Sequence, residues 1–173
     1  MTPDSAPDST RIRTAGPADL DRVSALYAAS YGGLLAADYS AEELEVIVPL
    51  IGTAKPELVE SGRFFVAEDG TGLLGAGGWS HERPGTKAIE PGVGHVRHVA
   101  VHPRGTGRGV GRAVLHACRD QARAEGVLAL ECYATLNAEP FYRSLGFRSL
   151  APIDVPLTET AVLRSIHMVL DLA

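Results

Sequence analysis

The stretch from His95 to Gly126, HVRHVAVHPRGTGRGVGRAVLHACRDQARAEG, constrains this chain more than any other. HVRHVAV is short, rich in Val and bounded by Gly94 and Pro103, so it predicts a buried strand. RGTGRGVG follows, crowded with glycine. Then Val110, Val114 and Cys118 recur at i, i+4, i+8, with Ala113 and Ala117 on the same stripe. That spacing predicts a helix, and Gly126 after Glu125 is its stop. Strand, glycine loop and helix start together make an anion site. The first N–H groups of a helix lack internal partners, and the dipole puts about +0.5 charge at that end. Glycine lets backbone approach a phosphate with no Cβ in the way.

Two nucleotide motifs are excluded. A Walker loop needs GxxxxGK[ST], and no glycine in this loop precedes Lys. The dinucleotide pattern GxGxxG fails as well, since Gly105-x-Gly107 leads to Val110 and Gly107-x-Gly109 leads to Arg112. The loop also starts more than halfway along the chain. Charge points to a small polyanion instead. The chain totals −5, yet residues 97–123 hold Arg97, Arg104, Arg108, Arg112, Arg119 and Arg123 against Asp120 alone. A nucleic-acid binder is usually basic throughout, so no nucleic-acid partner is expected.

In chain order, residues 1–10 read as a disordered acidic tail and 11–173 as a single domain. Arg11–Ala15 predicts a strand. A helix opens at Pro17 and runs through Tyr27 and Tyr31 until Gly32-Gly33 breaks it. Ser40-x-x-Glu43 is a capping box for a second helix, limited by Pro49. Pro56 starts a helical turn to Glu60. Arg63–Glu68 and Leu73–Ser80 are strands joined at Asp69-Gly70, and His81–Pro91 is a loop. After the central stretch come a strand, Val127–Tyr133, and a short helix capped by Asn137 and ended at Gly146. Arg148–Leu157 and Ser165–Leu170 complete the strands. This order predicts an α/β fold, a mixed central sheet with helices on both faces.

Cys118 and Cys132 are far apart and read as core residues of a reducing cytoplasm, with no disulfide or metal site. No apolar run nears the ~20 residues of a membrane span, so no membrane partner is expected. A monomer or a homodimer fits equally.

The run Val101-His-Pro-Arg-Gly-Thr106-Gly-Arg-Gly-Val-Gly111 resembles motif A of the GNAT superfamily of N-acyltransferases, V-x-P-x-x-[RQ]-G-x-G-[IV]-G. Thr106 stands where Arg or Gln is usual; its hydroxyl can still donate to phosphate. A second signature, N-A-x-x-F-Y-x-x-x-G-F, matches at Asn137–Phe147 in every fixed position. The resemblance spans residues 11–170. It implies a twisted sheet of about six to seven strands, splayed between strands four and five. It implies acetyl-coenzyme A as acyl donor, with the pyrophosphate held by Thr106, Gly107, Arg108, Gly109, Val110, Gly111 and Arg112. Val99, Ala100 and Val101 would pair with the pantetheine arm, the amide near Val99 or Ala100 serving as oxyanion donor. Asn137 would hydrogen-bond the arm, and Tyr142 would protonate the leaving thiolate.

The implied reaction is N-acetylation of a primary amine by direct attack in a ternary complex. A primary amine is mostly ammonium at neutral pH and must lose a proton first. Where many relatives carry Glu on the fourth strand, this chain has His95, with Glu131 the second candidate base. By alternation His95 shares a strand face with Arg97, Val99 and Val101, and His98 points the other way. His81, His102, His116 and His167 show no ligand spacing and read as structural. Tyr27, Tyr31, Trp79 and His81 are expected near the acceptor. Residues 38–69 hold eight acidic groups against Lys55 and Arg63, which suits a cationic small-molecule or peptide amine. The alternative is an acyl-coenzyme A sensor without turnover, favoured by the missing Glu and by Thr106.

Overall fold

The computed structural model describes residues 9–173. The expected tail therefore lies outside the described residues up to residue 8. Seven strands form one sheet: β1 (Arg11–Thr14), β2 (Phe64–Asp69), β3 (Gly72–Ser80), β4 (Val93–Val101), β5 (Ala129–Thr135), β6 (Arg148–Pro156) and β7 (Val162–Asp171). Their order is β1-β2-β3-β4-β5-β7-β6. Every pairing is antiparallel except β4 with β5. That parallel pair needs a crossover, and α4 (Val110–Ala124) supplies it. The parallel register stops at His95 opposite Glu131. Beyond it, β4 continues to Val101 and β5 to Thr135 without pairing to each other, so the sheet splays open there.

Helices cover both faces. On one, α4 packs Val110, Val114, Leu115, Cys118 and Ala122 against Leu74, Val96 and Leu130, and α5 (Glu139–Ser144) adds Tyr142. On the other, α1 (Leu20–Leu34) and α3 (Pro56–Val59) bury Val23, Leu26, Tyr27, Leu58 and Val59 against Val66, Ala76 and Ala100. Beside them, α2 (Ala41–Ile51) buries Ile47 and Ile51 with Leu35, Tyr39 and Leu163. Fully burying one aliphatic side chain stabilises by about 1.5–3 kcal/mol, so these clusters fix where the loops end up. No described helix is long and apolar enough to cross a membrane.

The Ser40–Glu43 capping box forms: Glu43 N–H donates to Ser40 Oγ at 3.1 Å, and Ser40 N–H to Glu43 Oε2 at 2.7 Å. Gly126, at φ 82°, ends α4 as the spacing predicts. Three local expectations are corrected. Helix α1 runs through Gly32-Gly33 to Leu34, because Tyr31 and Leu35 anchor both sides of the pair and outweigh about 1 kcal/mol per glycine. Pro49 sits inside α2, where it removes only one bond near the helix end; Gly52 N–H to Val48 O, 2.8 Å, closes that end. Asn137 does not cap α5. It lies in a 3₁₀ turn, Leu136–Ala138, and α5 starts after Ala138 with no side-chain cap.

Candidate active site

The splay between β4 and β5 leaves two cavities that meet at the sheet's midline. The first, about 520 Å³, runs from the glycine loop to α5 and is lined by Val99–Val101, Gly105–Gly107, Gly109–Arg112, Asn137 and Tyr142. The second, about 460 Å³, lies on the α2 side against Arg97, His98, Tyr133 and the β6–β7 strands. Tyr31, Val99, Thr135, Ala138 and Tyr142 line both.

At the far end of the first cavity the backbone is shaped for an anion. Gly107 and Gly109 both take φ 75°, a left-handed conformation that an L side chain resists. Those two turns swing the chain into α4. The first backbone bond of the helix is Ala113 N–H to Gly109 O at 3.0 Å. The N–H groups of Val110, Gly111 and Arg112 precede it, and all three residues line the cavity. Gly111 is also a packing requirement, since a Cβ there would lie 2.9 Å from the Phe141 ring. Thr106 and Arg112 are exposed on the rim. Arg108 is partly engaged, 3.4 Å from Asp69.

Along β4 a bulge decides which groups face the gap. Ala76 pairs with Ala100 and Gly78 with Arg97, so Gly77 alone faces His98 and Val99. The extra residue puts His98 at φ 51°, strained by about 1–3 kcal/mol. Tyr27 steadies it, donating its hydroxyl to His98 O at 2.9 Å. The bulge overturns the simple alternation. His95 and Arg97 share one face, while Val99 and Val101 pack on the other, against the α4 cluster. It also orients the amides. His102 N–H donates to Leu74 O on β3 at 2.7 Å, so Ala100 N–H points the same way. The N–H groups of Val99 and Val101 turn into the gap.

Tyr142 stands at the junction. Its ring is 7 % exposed and meets Phe141 and Phe147 edge-on at 5.2 and 5.3 Å. Among the described residues its hydroxyl has no hydrogen-bond partner. Burial pushes that phenol well above its usual range, so at neutral pH it carries a proton and can donate one. Asn137 Oδ1, close by in the cavity wall, is buried without a partner.

A second group of buried polar atoms lies beside the 460 Å³ cavity, one strand pair beyond Arg97 and Tyr133. Glu131 Oε2 sits 3.2 Å from His167 Nε2 and 3.8 Å from His95 Nδ1, with Arg83 at 3.9 Å. The close approach to His167 is not aligned as a hydrogen bond, and Glu131 Oε2, His167 Nε2 and His95 Nε2 all lack one. Burial lowers His95 to about 4, outweighing the pull of Glu131, so it is neutral at pH 7.

The structure thus gathers Val99, Val101, the loop residues, Asn137, Tyr142 and Tyr31. It separates others. Trp79 packs on the α4 face, its indole donating to Gln121 Oε1 at 2.8 Å, and His81 lies 3.2 Å from Glu125. Both stand at the C-terminal end of α4 and line neither cavity, because β3 leaves the gap before reaching them. Tyr27 is buried under the bulge and shapes the site through backbone. The acidic groups of residues 38–69 do not line the second cavity either. Glu43 pairs with Arg164, Glu68 with Arg13 and Arg22, and Asp69 with Arg108. Sequence reasoning missed His167, which reaches Glu131 only because β7 pairs with β5. It also missed Arg97, whose six-arginine company hid a residue that turns the other way.

Residues 60–149 match the family model described as an acetyltransferase (GNAT) domain. A search of curated proteins returned no match. Among solved structures, a GCN5-related N-acetyltransferase from Rhodopseudomonas palustris superposes with TM-score 0.74 at 23 % identity, covering 96 % of each chain. The PaiA N-acetyltransferase of Thermoplasma acidophilum, in complex with coenzyme A, gives TM-score 0.70 at 17 % identity, over 94 % of this chain and 99 % of that one. The ribosomal-protein-S18-alanine N-acetyltransferase of Escherichia coli gives 0.63 at 16 %, over 95 % of each. At these identities the likeness establishes the fold.

Proposed function

This chain belongs to the GNAT acetyltransferase family and is an acyltransferase, and from that premise we propose that it moves an acetyl group from acetyl-coenzyme A to a primary amine. The observation that carries the reading is the pair of cavities meeting at Tyr142 across an open β4–β5 gap. One holds unpartnered helix amides for a pyrophosphate; the other adjoins buried groups able to take a proton. The coenzyme A in the Thermoplasma complex supports the donor assignment.

In this reading the loop from Thr106 to Arg112 grips the pyrophosphate, and Asn137 Oδ1 accepts from an amide of the pantetheine arm. Val99 N–H, aimed into the gap, hydrogen-bonds the thioester oxygen as it gains charge. The acceptor enters through the second cavity as an ammonium. It loses one proton, through water, to the His95–Glu131–His167 cluster. His95 alone is a poor base, since burial holds it near 4 while a free amine lies near ~10.4. Glu131, the carboxylate at the centre of the cluster, takes the role, with His95 and His167 beside it. The neutral amine then attacks the carbonyl carbon. The C–N bond forms, the C–S bond breaks, and Tyr142 gives its proton to the thiolate. The remaining extra proton on the new amide nitrogen returns to the phenolate.

The test pairs binding with turnover. Acetyl-coenzyme A is titrated into the protein, and thiol release is followed over a broad panel of primary amines. Thiol release with matching acetylated amine supports the reading. Tight binding without release across the panel would favour a sensor of the coenzyme instead.

A further inference from the structure

The acceptor cavity is charged in one sense only. Its ionisable lining consists of Arg97, Lys55, His98, Cys132 and three tyrosines, and no Asp or Glu lines it among the described residues. Arg97 is the informative one. It is partly buried on the His95 face of β4, and burial pulls its pKa down from the usual arginine value. It forms no ion pair within 4 Å among the described residues; Glu82 and Glu57 act on it only from further away. Its one hydrogen bond goes from Nη1 to Ser80 Oγ at 3.0 Å. The other guanidinium N–H groups are unpartnered and not sealed from solvent. Every other described arginine that is this far buried is held by carbonyls or carboxylates, as Arg13 is by Asp19 and Glu68.

A partly buried cation with four open donors is a poor structural element, because it costs burial energy and returns little. It is a good receptor for a planar anion, which a guanidinium fork can hold through two parallel bonds. Lys55, exposed at the same cavity, adds a second positive charge. The α2 and β6–β7 wall is mostly apolar, with Leu50, Ile51, Val155, Pro156, Leu157 and Leu163 and the one hydroxyl of Ser165. Resting on the acetyl-transfer reading above, we propose that the acceptor is an amino carboxylate with an apolar body, of the class of an apolar α-amino acid. Its carboxylate docks on Arg97, its side chain on the α2 and β6–β7 wall, and its amine faces the gap next to the Glu131 cluster.

The experiment compares matched acceptors with acetyl-coenzyme A: leucine, leucinamide, 3-methylbutylamine and 2-aminoethyl phosphate. Leucine should exceed the amide and the decarboxylated amine in kcat/KM by about 10- to 100-fold, the range for hydrogen bonds to a charged group. In Arg97→Met that ratio should collapse toward one; Lys55→Met, at an exposed position, should lower it less and covers the case in which Arg97→Met does not fold. Equal use of all four acceptors overturns the inference while leaving acetyl transfer intact. Preference for the phosphate compound or for the uncharged-tail amine overturns it too. If no acceptor releases thiol, the acetyl-transfer reading fails by itself. Calorimetric binding of leucine against leucinamide to the coenzyme-loaded protein then decides the carboxylate site: tighter leucine supports it, and equal or absent binding refutes it.

Discussion

Replacing Tyr142 by Phe isolates one oxygen atom at the junction of the two cavities. The ring contacts with Phe141 and Phe147, at 5.2 and 5.3 Å, survive the change. The hydroxyl has no hydrogen-bond partner among the described residues, so its removal orphans no buried group. Stability should therefore move by less than about 1 kcal/mol, within what a single unmade hydrogen bond is worth. Turnover is a different matter. A departing thiolate needs a proton, and the buried phenol is protonated at neutral pH. Losing a positioned general acid costs about 10²–10⁴-fold, which converts to about 2.7–5.4 kcal/mol of barrier. The assay is thiol release at saturating acetyl-coenzyme A and acceptor, beside a denaturant melt and a coenzyme titration. A variant that melts and binds like the parent yet turns over 10²-fold slower fits the role. Unchanged turnover, confirmed in a single-turnover experiment so that product release cannot mask chemistry, refutes it.

Other outcomes follow from the same geometry. Asn137→Ala removes a buried, unpaired oxygen, so stability should hold or rise by up to ~1 kcal/mol while coenzyme affinity falls about tenfold; calorimetry and a melt read both. Arg112→Ala should weaken coenzyme binding more than Arg108→Ala, since Asp69 already occupies Arg108 at 3.4 Å, and both losses should shrink at high salt. Glu131→Gln should slow turnover more than His95→Gln, measured as a pH–rate profile; the reverse order would return His95 to the role of base. Stability should fall with acid before the paired carboxylates titrate. His95 is lowered to about 4, so between pH 6.5 and 4 the unfolded chain binds a proton that the native one refuses, at up to about 3 kcal/mol by pH 4. Asp19, lowered to about 2 by Arg13, loses its contribution only as pH falls below its unfolded value of 3.8. Denaturant melts from pH 7 to 5 should show the decline in the parent and a flatter curve in His95→Gln.

The fold was legible because two motifs and their spacing place the glycine loop and the Tyr142 helix on either side of one gap. Periodicity did the rest for α4, and the Ser40–Glu43 pair marked the start of α2 in its own chemistry. What misled was local rule against tertiary anchoring. Gly32-Gly33 and Pro49 read as stops, yet Tyr31, Leu35 and Ile51 hold their helices through them. Strand alternation failed at His98, because a bulge is a property of two strands and leaves no mark in one. The glycine-loop end of the first cavity is contiguous in sequence, so its lining could be read from one stretch. The second cavity is assembled from β4, β5, β7 and α2, and residues such as Arg97 and His167 gain meaning only when the sheet order is known. The expected acceptor aromatics show the same limit, with Tyr31 in the gap and Trp79 on the opposite face.

Direct attack across the gap implies that the acetyl group never rests on the protein. Cys118 and Cys132 are the only thiols, and burial raises both above the usual range, away from the reactive thiolate. Rapid-quench single turnover with acetyl-coenzyme A and an accepted amine, read by mass for protein, thiol and product, addresses this directly. Thiol and acetylated amine appearing at one rate, with the protein mass unchanged throughout, is the predicted result. A burst of thiol ahead of product with an acetyl group on the chain, or thiol released with no acetylated amine, would contradict the account.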